Sequence, residues 1–227
     1  MNARTYLLIL TLLTLCTLTN AQQSPPFYQD KVNMLMYIDS KGTSNPVENL
    51  EDWTRRRTHI LQNMQLVMGE LPDRSDLPPL DLEVLETKQL DGVLLEKITF
   101  LSEPGDRVPA YLLTPSDLAG KAPAMLCLHQ TTKIGKGEPA GLGGLPNLHY
   151  ALELARRGYV TLAPDYPNFG DYSNNPYENG YVSTTMKGIW NHMRAVDLLQ
   201  TLPSVDAERI GSIGHSLGGH NTMYVAV

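Results

Sequence analysis

The chain has 227 residues, enough for one large domain or for one and a half small ones. It carries 18 lysines and arginines against 24 aspartates and glutamates, so its net charge is −6. This acidic balance, with no basic run longer than the three arginines at 55–57, argues against a nucleic-acid partner. The same mild charge is typical of a well-solvated surface.

The first residues have the pattern of an export signal. Arg4 precedes an apolar run from Tyr6 to Leu18, and the small residues Thr19 and Ala21 flank a cleavage site before Gln22. The run is shorter than the roughly 20 apolar residues that span a bilayer, which makes a membrane anchor the weaker alternative. We predict a signal peptide at 1–21 and a secreted or periplasmic protein without a membrane anchor after cleavage.

The two cysteines are Cys16 and Cys127. Cys16 faintly matches a bacterial lipoprotein signal, but Leu15 is large where a small residue is expected. Because Cys16 leaves with the signal, the mature chain has a single cysteine and no intrachain disulfide. Cys127 lies in an apolar run, which predicts a small core residue rather than a nucleophile.

A polar lead-in and one helix are predicted for residues 22–80. Asn45 is a candidate cap, Pro46 suits the first helical position, and Glu48 completes a capping box. Apolar residues recur at helical spacing as far as Val67. The arginines at 55–57 lie on this helix, and a solvated face is preferred over a ligand-facing cluster.

Three antiparallel strands are predicted at the start of the main domain, which we place at 81–227. The strands are 82–89, 93–101 and 108–113. Asp91-Gly92 and Pro104-Gly105-Asp106 are turn signals between them. Strands joined by such short turns must be antiparallel neighbours.

Strands and helices then alternate along the chain. The predicted order is strand 124–128, helix 148–157, strand 159–164, helix 184–202 and a short buried strand from 209. This alternation predicts parallel strands, right-handed crossovers and helices on both faces of the sheet. Ligands of such sheets bind beyond the carboxyl ends of the strands.

The last strand leads into a Gly-x-Ser-x-Gly turn, 214–218, followed by a run capable of forming a helix. A nucleophilic serine needs a turn so sharp that its backbone is strained. Gly214 and Gly218 flank Ser216 where a side chain would collide with the strand or the helix. The alternative is a glycine-rich turn without chemistry.

These features resemble the α/β-hydrolase superfamily. Within it, the chain is similar to secreted bacterial acetyl xylan esterase and dienelactone hydrolase-like proteins near the prolyl oligopeptidase catalytic domain. The matching stretches are 52–57, 103–111, 128–132, 163–166 and 209–220. The resemblance implies an α/β-hydrolase sandwich with antiparallel N-terminal strands and then parallel strands. It also implies that Ser216 is a nucleophile and that no cofactor or metal is needed.

The resemblance further implies an oxyanion hole made of two backbone N–H groups. One donor is the residue after the nucleophile, Leu217. The other comes from the loop after strand 124–128 and is Gln130 or Thr131, with Gln130 slightly favoured. His215 completes the nucleophile elbow, and His129 is expected to support the loop.

The catalytic acid and histidine follow the serine in this superfamily. Here eleven residues follow Ser216, without Asp or Glu and with only His220, which should point away along its helix. His215 lies inside the turn and is not expected to be the base. The other histidines lie on elements from which the family does not draw its base: His59, His129, His149 and His192. We therefore expect a fragment that lacks the last strands and helices, leaves Ser216 on an edge strand and is inactive alone.

Two loops are candidates for the substrate pocket. The glycine-rich segment 135–144 is preferred as a pocket loop over plain surface, and Gly137 rules out a phosphate loop because Ser or Thr is required there. The second loop follows strand 159–164. Four of its residues either line the pocket or pack within the loop, namely Asp165, Tyr166, Asp171 and Tyr172. No His and Asp cluster at metal-ligand spacing is apparent.

We expect an exported serine hydrolase that cleaves carboxylic esters through an acyl-enzyme on Ser216. Small-molecule or carbohydrate esters, including acetylated carbohydrate, are the expected substrates. One alternative is a serine peptidase of the prolyl oligopeptidase type. Another is a non-catalytic binding protein on a hydrolase fold.

Overall fold

The computed structural model describes residues 24–227, so the predicted signal peptide lies outside the described residues. The described part of the chain divides into two units, one that ends at Asn63 and one that spans Met64–Val227. In the first unit, strand β1 (Met36–Ile38) pairs antiparallel with β2 (Ser44–Pro46). Helix α1 (Leu50–Met68) begins in this unit and ends in the second.

The start of α1 differs from the prediction. Asn45 lies in β2, opposite Tyr37, and the helix begins only at Leu50. The Oδ1 atom of Asn49 accepts a hydrogen bond from the N–H of Asp52 at 3.0 Å, so Asn49 is the cap. The helix start predicted at Asn45 was wrong because that segment pairs as a strand instead.

The three arginines of α1 do not share one environment. Arg55 is exposed and forms an ion pair with Glu51, and Arg57 is exposed. Arg56 is buried, with its guanidinium carbon 3.7 Å from the ring centroid of Tyr28. A solvated face therefore describes Arg55 and Arg57, whereas Arg56 packs as a cation on an aromatic ring.

The second unit is built on a six-stranded sheet in the order β3-β4-β5-β7-β6-β8. The strands are β3 (Glu83–Leu90), β4 (Val93–Glu103), β5 (Asp106–Pro115), β6 (Ala122–Leu128), β7 (Val160–Pro164) and β8 (Val205–Gly214). The pairs β3–β4, β4–β5 and β5–β7 are antiparallel, and β6 pairs parallel with both β7 and β8. The predicted change from antiparallel to parallel strands is confirmed.

Helices cover both faces of this sheet. They are α2 (Tyr150–Ala155), α3 (Thr184–Thr201) and α4 (Leu217–Val225). Ala151 of α2 packs in one apolar cluster with Cys127, and Leu198 of α3 packs in another with Phe100. Cys127 is fully buried, as its apolar run predicted. Among residues 24–227, none of the helices combines the length and the apolar character needed to cross a bilayer.

Strand β8 is longer and less buried than predicted. It starts at Val205, the one fully buried residue of the strand, and its other positions are half-buried or exposed. The reason is its place at the end of the sheet, where β6 is the one strand of residues 24–227 that pairs with it. Leu128 and Gly214 are opposite one another at the carboxyl ends of these two strands. The segments that follow them therefore leave the sheet side by side.

Candidate active site

Ser216 lies on the turn between β8 and α4 and is exposed. Its backbone has φ 52° and ψ −116°. A positive φ is uncommon for a residue with a side chain, and in the described residues it occurs otherwise only at Asp81 and Asn168. Such strain persists only where the surrounding structure imposes it.

Close backbone packing imposes this conformation. A Cβ atom at Gly214 would lie 2.3 Å from the carbonyl carbon of Gly218. A Cβ atom at Gly218 would lie 1.8 Å from the carbonyl oxygen of Leu128. Neither neighbour is a flexible side chain, so both positions admit only glycine. A side chain at Gly214 would collide with the following helix, as expected from the sequence, whereas one at Gly218 would collide with the neighbouring strand β6.

The loop after β6 lies against this turn. The Nδ1 atom of His215 is 3.1 Å from the Oε1 atom of Gln130, although the two residues are 85 positions apart. Thr131 is exposed beside Gln130. Within residues 24–227, the N–H groups of Gln130, Thr131 and Leu217 donate no hydrogen bond to another residue. The segments that carry these donors are in contact through the side chains of Gln130 and His215.

His129 holds the start of this loop. It is buried, and its Nδ1–H donates to the carbonyl of Gln130 at 2.6 Å. Its Nε2 atom accepts the N–H of Tyr166 at 3.0 Å. Burial lowers the pKa of His129, so the ring is neutral. With both nitrogens engaged, His129 supports the loop and is not free to act as a base.

No side chain of the described residues forms a hydrogen bond with the Ser216 hydroxyl. Burial lowers the pKa of His192 to about 3, and the ring centroid of this histidine lies 6.3 Å from that of Tyr166. The remaining histidines have other contacts: His59 with Tyr28, His149 with Gly143, and His220 with Tyr224. None of these histidines is paired with the serine.

Buried charges join the loop after β6 to the loop after β7. Asp165 is fully buried and accepts hydrogen bonds from the backbone N–H of Lys136 at 2.8 Å and from that of Asp171 at 2.9 Å. Lys136 Nζ, also buried, lies 2.5 Å from Asp165 Oδ2 and 2.8 Å from Asp171 Oδ2. A Cβ atom at Gly135 would lie 2.1 Å from the Asp165 carboxylate. The two loops are therefore fitted closely around this carboxylate.

The predicted pocket residues of the second loop are mostly packed. Asp165, Tyr166 and Tyr172 are buried, and the Tyr172 hydroxyl donates to the Asp106 carboxylate at 2.7 Å. Asp171 is half-exposed but bound to Lys97 at 2.8 Å. The alternative of a packed loop is therefore correct for the three buried residues, because their side chains lie inside the protein.

The glycine-rich segment is neither plain surface nor an open pocket wall along its whole length. Residues 135–140 are buried, and exposure returns only from 142 onward. Its one carboxylate, Glu138, is buried and accepts hydrogen bonds from Gln130 Nε2 at 2.9 Å and from the N–H of Leu145 at 3.1 Å. Sequence reasoning missed Glu138. The sequence feature that could have identified it is a single acidic residue among glycine, proline and alanine.

Cavities of about 720 and 590 Å³ are present elsewhere. The first lies in the N-terminal unit between Asp39 and His59, and the second lies along β8 beside Ile210 and Ser212. Neither is lined by a predicted site residue. In the part of the chain that the structure describes, no group of three His, Cys, Asp or Glu side chains is arranged to hold a metal ion.

A model of the prolyl oligopeptidase family matches residues 147–227. The Bacillus subtilis protein named "Putative hydrolase YtaP" is 29% identical over 164 residues, which cover 67% of this chain and 54% of that protein. A structure described as "a putative acetyl xylan esterase (BF1801)" from Bacteroides fragilis superposes with a TM-score of 0.63 at 21% identity. It matches 77% of this chain and 50% of its own.

The chain has an α/β-hydrolase fold and is related to that superfamily. A glucuronoyl esterase from Solibacter usitatus also superposes, with a TM-score of 0.61 at 20% identity over 88% of this chain and 60% of its own. The chain thus spans about half the length of the relatives that it matches. At 20–21% identity, the two superposed structures show a shared fold.

Proposed function

We propose that the protein containing this chain is an exported serine hydrolase that cleaves carboxylic esters. The observation that carries this proposal is Ser216, exposed at positive φ between two glycines that tolerate no side chain. In the reaction, the Ser216 hydroxyl attacks the ester carbonyl, its proton passes to a histidine, and the alcohol leaves with that proton. Water then hydrolyses the acyl-enzyme.

The tetrahedral intermediate carries a negative charge that needs backbone donors. Leu217 offers its N–H at the first turn of α4, where the helix dipole also favours an anion. Gln130 or Thr131 offers the second N–H, from the loop bound to His215. Removing one such donor typically costs about 2.7–4 kcal/mol of transition-state stabilisation.

The proposed reaction needs a histidine and an acid to activate Ser216. In the described residues, no side chain forms a hydrogen bond with the Ser216 hydroxyl. A serine without a base is a poor nucleophile at neutral pH. Residues 24–227 alone are therefore expected to be catalytically inactive.

An ester substrate and an extracellular or periplasmic location complete the proposal. Esterases among the superposed structures favour small-molecule or carbohydrate esters, including acetylated carbohydrate. The export pattern of residues 1–21 favours secretion or transport to the periplasm.

A peptidase is the second candidate. The prolyl oligopeptidase family model covers residues 147–227. A dipeptidyl-peptidase 5 from Porphyromonas gingivalis is 33% identical over 76 residues, which are 32% of this chain and 11% of that protein. Serine esterases and serine peptidases both use an activated serine, so the turn at Ser216 alone does not separate ester cleavage from amide cleavage.

A fluorophosphonate probe tests the nucleophile in the full-length protein. The probe should label the protein, and Ser216→Ala should abolish labelling. Ser75→Ala, at an exposed serine far along the chain, is the matched control and should be labelled normally. Absence of labelling in the unsubstituted, folded protein would reject the catalytic proposal and favour a binding protein on this fold.

Substrate comparison then separates the two activities. We expect p-nitrophenyl acetate to be hydrolysed with a Ser216-dependent burst and a proline-containing peptide anilide to be left intact. Preferential cleavage of the anilide would replace the esterase proposal with the peptidase.

A further inference from the structure

The side-chain amide of Gln130 connects the two loops that meet at Ser216. Its Oε1 atom lies 3.1 Å from Nδ1 of His215, the residue immediately before the serine. Its Nε2–H donates to Oε2 of Glu138 at 2.9 Å. One amide therefore bridges the nucleophile elbow and the interior of the loop after β6.

Glu138 fixes the direction of both hydrogen bonds. A carboxylate only accepts hydrogen bonds, and each of its two oxygens faces an N–H donor, Gln130 Nε2 and the backbone of Leu145. Glu138 is only 3% exposed, so water does not substitute for either donor. Gln130 must then turn its NH₂ group toward Glu138 and its oxygen toward His215. An amide oxygen only accepts, so His215 must present a proton on Nδ1.

We propose that Glu138, the Gln130 side chain and His215 form a positioning relay that joins the candidate oxyanion loop to the nucleophile elbow. This proposal rests on the proposed function. The backbone N–H of Gln130 or Thr131 must lie at a fixed distance from Ser216 to stabilise an oxyanion, and displacements of about 1 Å are costly. The relay supplies a direct tie across the 85 positions that separate the two loops. Its carboxylate does not touch the substrate, so Glu138 is a positioning residue.

The first test reads the His215 tautomer by ¹⁵N NMR, a signal that does not depend on activity. In the unsubstituted protein, neutral His215 should show a pyrrole-type Nδ1 and a pyridine-type Nε2, with His215→Asn assigning the signals. The Glu138→Gln variant has one side-chain oxygen where the carboxylate had two, so it cannot accept from both Gln130 Nε2 and the N–H of Leu145. The Gln130 amide should therefore turn over and offer its NH₂ group to His215. Nδ1 then becomes the acceptor and the tautomer preference should reverse.

A paired exchange is the rescue. Gln130→Glu combined with Glu138→Gln places the carboxylate beside His215 and the amide beside Leu145, and every donor again has an acceptor. This double variant should restore the proton to Nδ1. Glu153→Gln, which alters an exposed ion pair with Arg156, is the matched control and should leave the His215 spectrum unchanged.

The second test is kinetic and uses the full-length protein. Glu138→Gln should lower kcat for an acetate ester about tenfold with little change in KM, because the oxyanion is absent from the bound ester and forms only in the transition state and the tetrahedral intermediate. The double exchange should recover most of this loss. If Glu138→Gln does not fold, Gln130→Met removes the same bridge at a half-buried position and should lower kcat similarly while leaving His215 without a preferred tautomer.

The outcomes separate the two proposals. An unchanged tautomer in both Glu138→Gln and Gln130→Met would overturn the relay. A changed tautomer with unchanged kcat would overturn the positioning role. Failure of the unsubstituted protein to react with a fluorophosphonate would reject the serine hydrolase, and with it the positioning role, whereas the NMR result would still decide whether the hydrogen-bond relay exists.

Discussion

The turn that holds Ser216 and the two loops beside it are positioned by different forces. At the turn, backbone meets backbone without charge, because Gly214 packs against Gly218 and Gly218 against Leu128. In the loops after β6 and β7, buried charged groups are paired, with Asp165 and Lys136 at the centre. One half of the candidate site depends on steric fit and the other on electrostatics.

Substitutions in the two halves should therefore destabilise the protein in different ways. A steric fit is lost when one methyl group is added, and the loss does not depend on pH. A buried ion pair tolerates small changes of shape but not the removal of one charge. Substitutions in each half, compared over a range of pH, test this difference.

The largest effect is expected for Gly218→Ala. The added methyl carbon would lie 1.8 Å from the Leu128 carbonyl oxygen, and only a shift of α4 or β6 could relieve that overlap. We expect a loss of more than about 4 kcal/mol in the free energy of unfolding, or no folded protein. Chemical denaturation monitored by circular dichroism measures the loss, which should be the same at pH 5 and pH 8.

Gly137→Ala is the control for this substitution. The nearest atoms to its added carbon would be side-chain atoms of Ile134, at 3.7 Å or more, and Gly137 does not have a positive φ. The control should change stability by less than about 1 kcal/mol. Equal effects at the two glycines would show that the elbow is not held by close packing.

The next largest effect is expected for Lys136→Met. It leaves the Asp165 carboxylate fully buried without its cation, which typically costs about 3–5 kcal/mol. Lys97→Met removes a more exposed lysine from the same cluster and should cost less than about 1 kcal/mol. Urea unfolding of both variants measures the difference. A Lys136→Met protein as stable as the unsubstituted one would mean that the buried pair does not hold the loops.

The sequence predicted the steric half well and the electrostatic half poorly. The collision of a Gly214 side chain with Gly218 is a local property of one turn, so five consecutive residues were enough to predict it. The collision of a Gly218 side chain with Leu128 is not local, because Leu128 lies on β6. The strand order near the start of the sheet was likewise predictable, because the Asp91-Gly92 turn forces neighbouring strands.

The ion pairs could not be predicted because their partners are far apart along the chain. Lys136 and Asp165 are separated by 29 positions, and Lys187 binds Glu103 across 84. Polar residues in a glycine-rich loop do not reveal which of them will be buried. The same limit explains Asn45, whose capping pattern was sound locally but was overruled by pairing with Tyr37 in a strand.

The smallest effect is expected from Asp171 and appears as a pH dependence. Hydrogen bonds from Lys136 and Lys97 lower the pKa of Asp171 from 3.8 to about 2. A carboxyl whose pKa is lower in the folded state contributes stability above its unfolded pKa. That contribution is lost as the pH falls from about 4 to about 2. Because the side chain is 50% exposed, solvent screening reduces it to about 1 kcal/mol.

Asp171→Asn removes this titratable group and tests whether the loops, unlike the turn at Ser216, depend on charge. Urea unfolding at pH 7, 4, 3 and 2 should show a variant that is about 1 kcal/mol less stable at pH 7, with the difference vanishing near pH 2. Asp117→Asn, at an exposed position, should keep the pH dependence of the unsubstituted protein. A constant difference between Asp171→Asn and the unsubstituted protein at every pH would mean that the carboxylate acts through shape rather than charge, as the glycines of the elbow do.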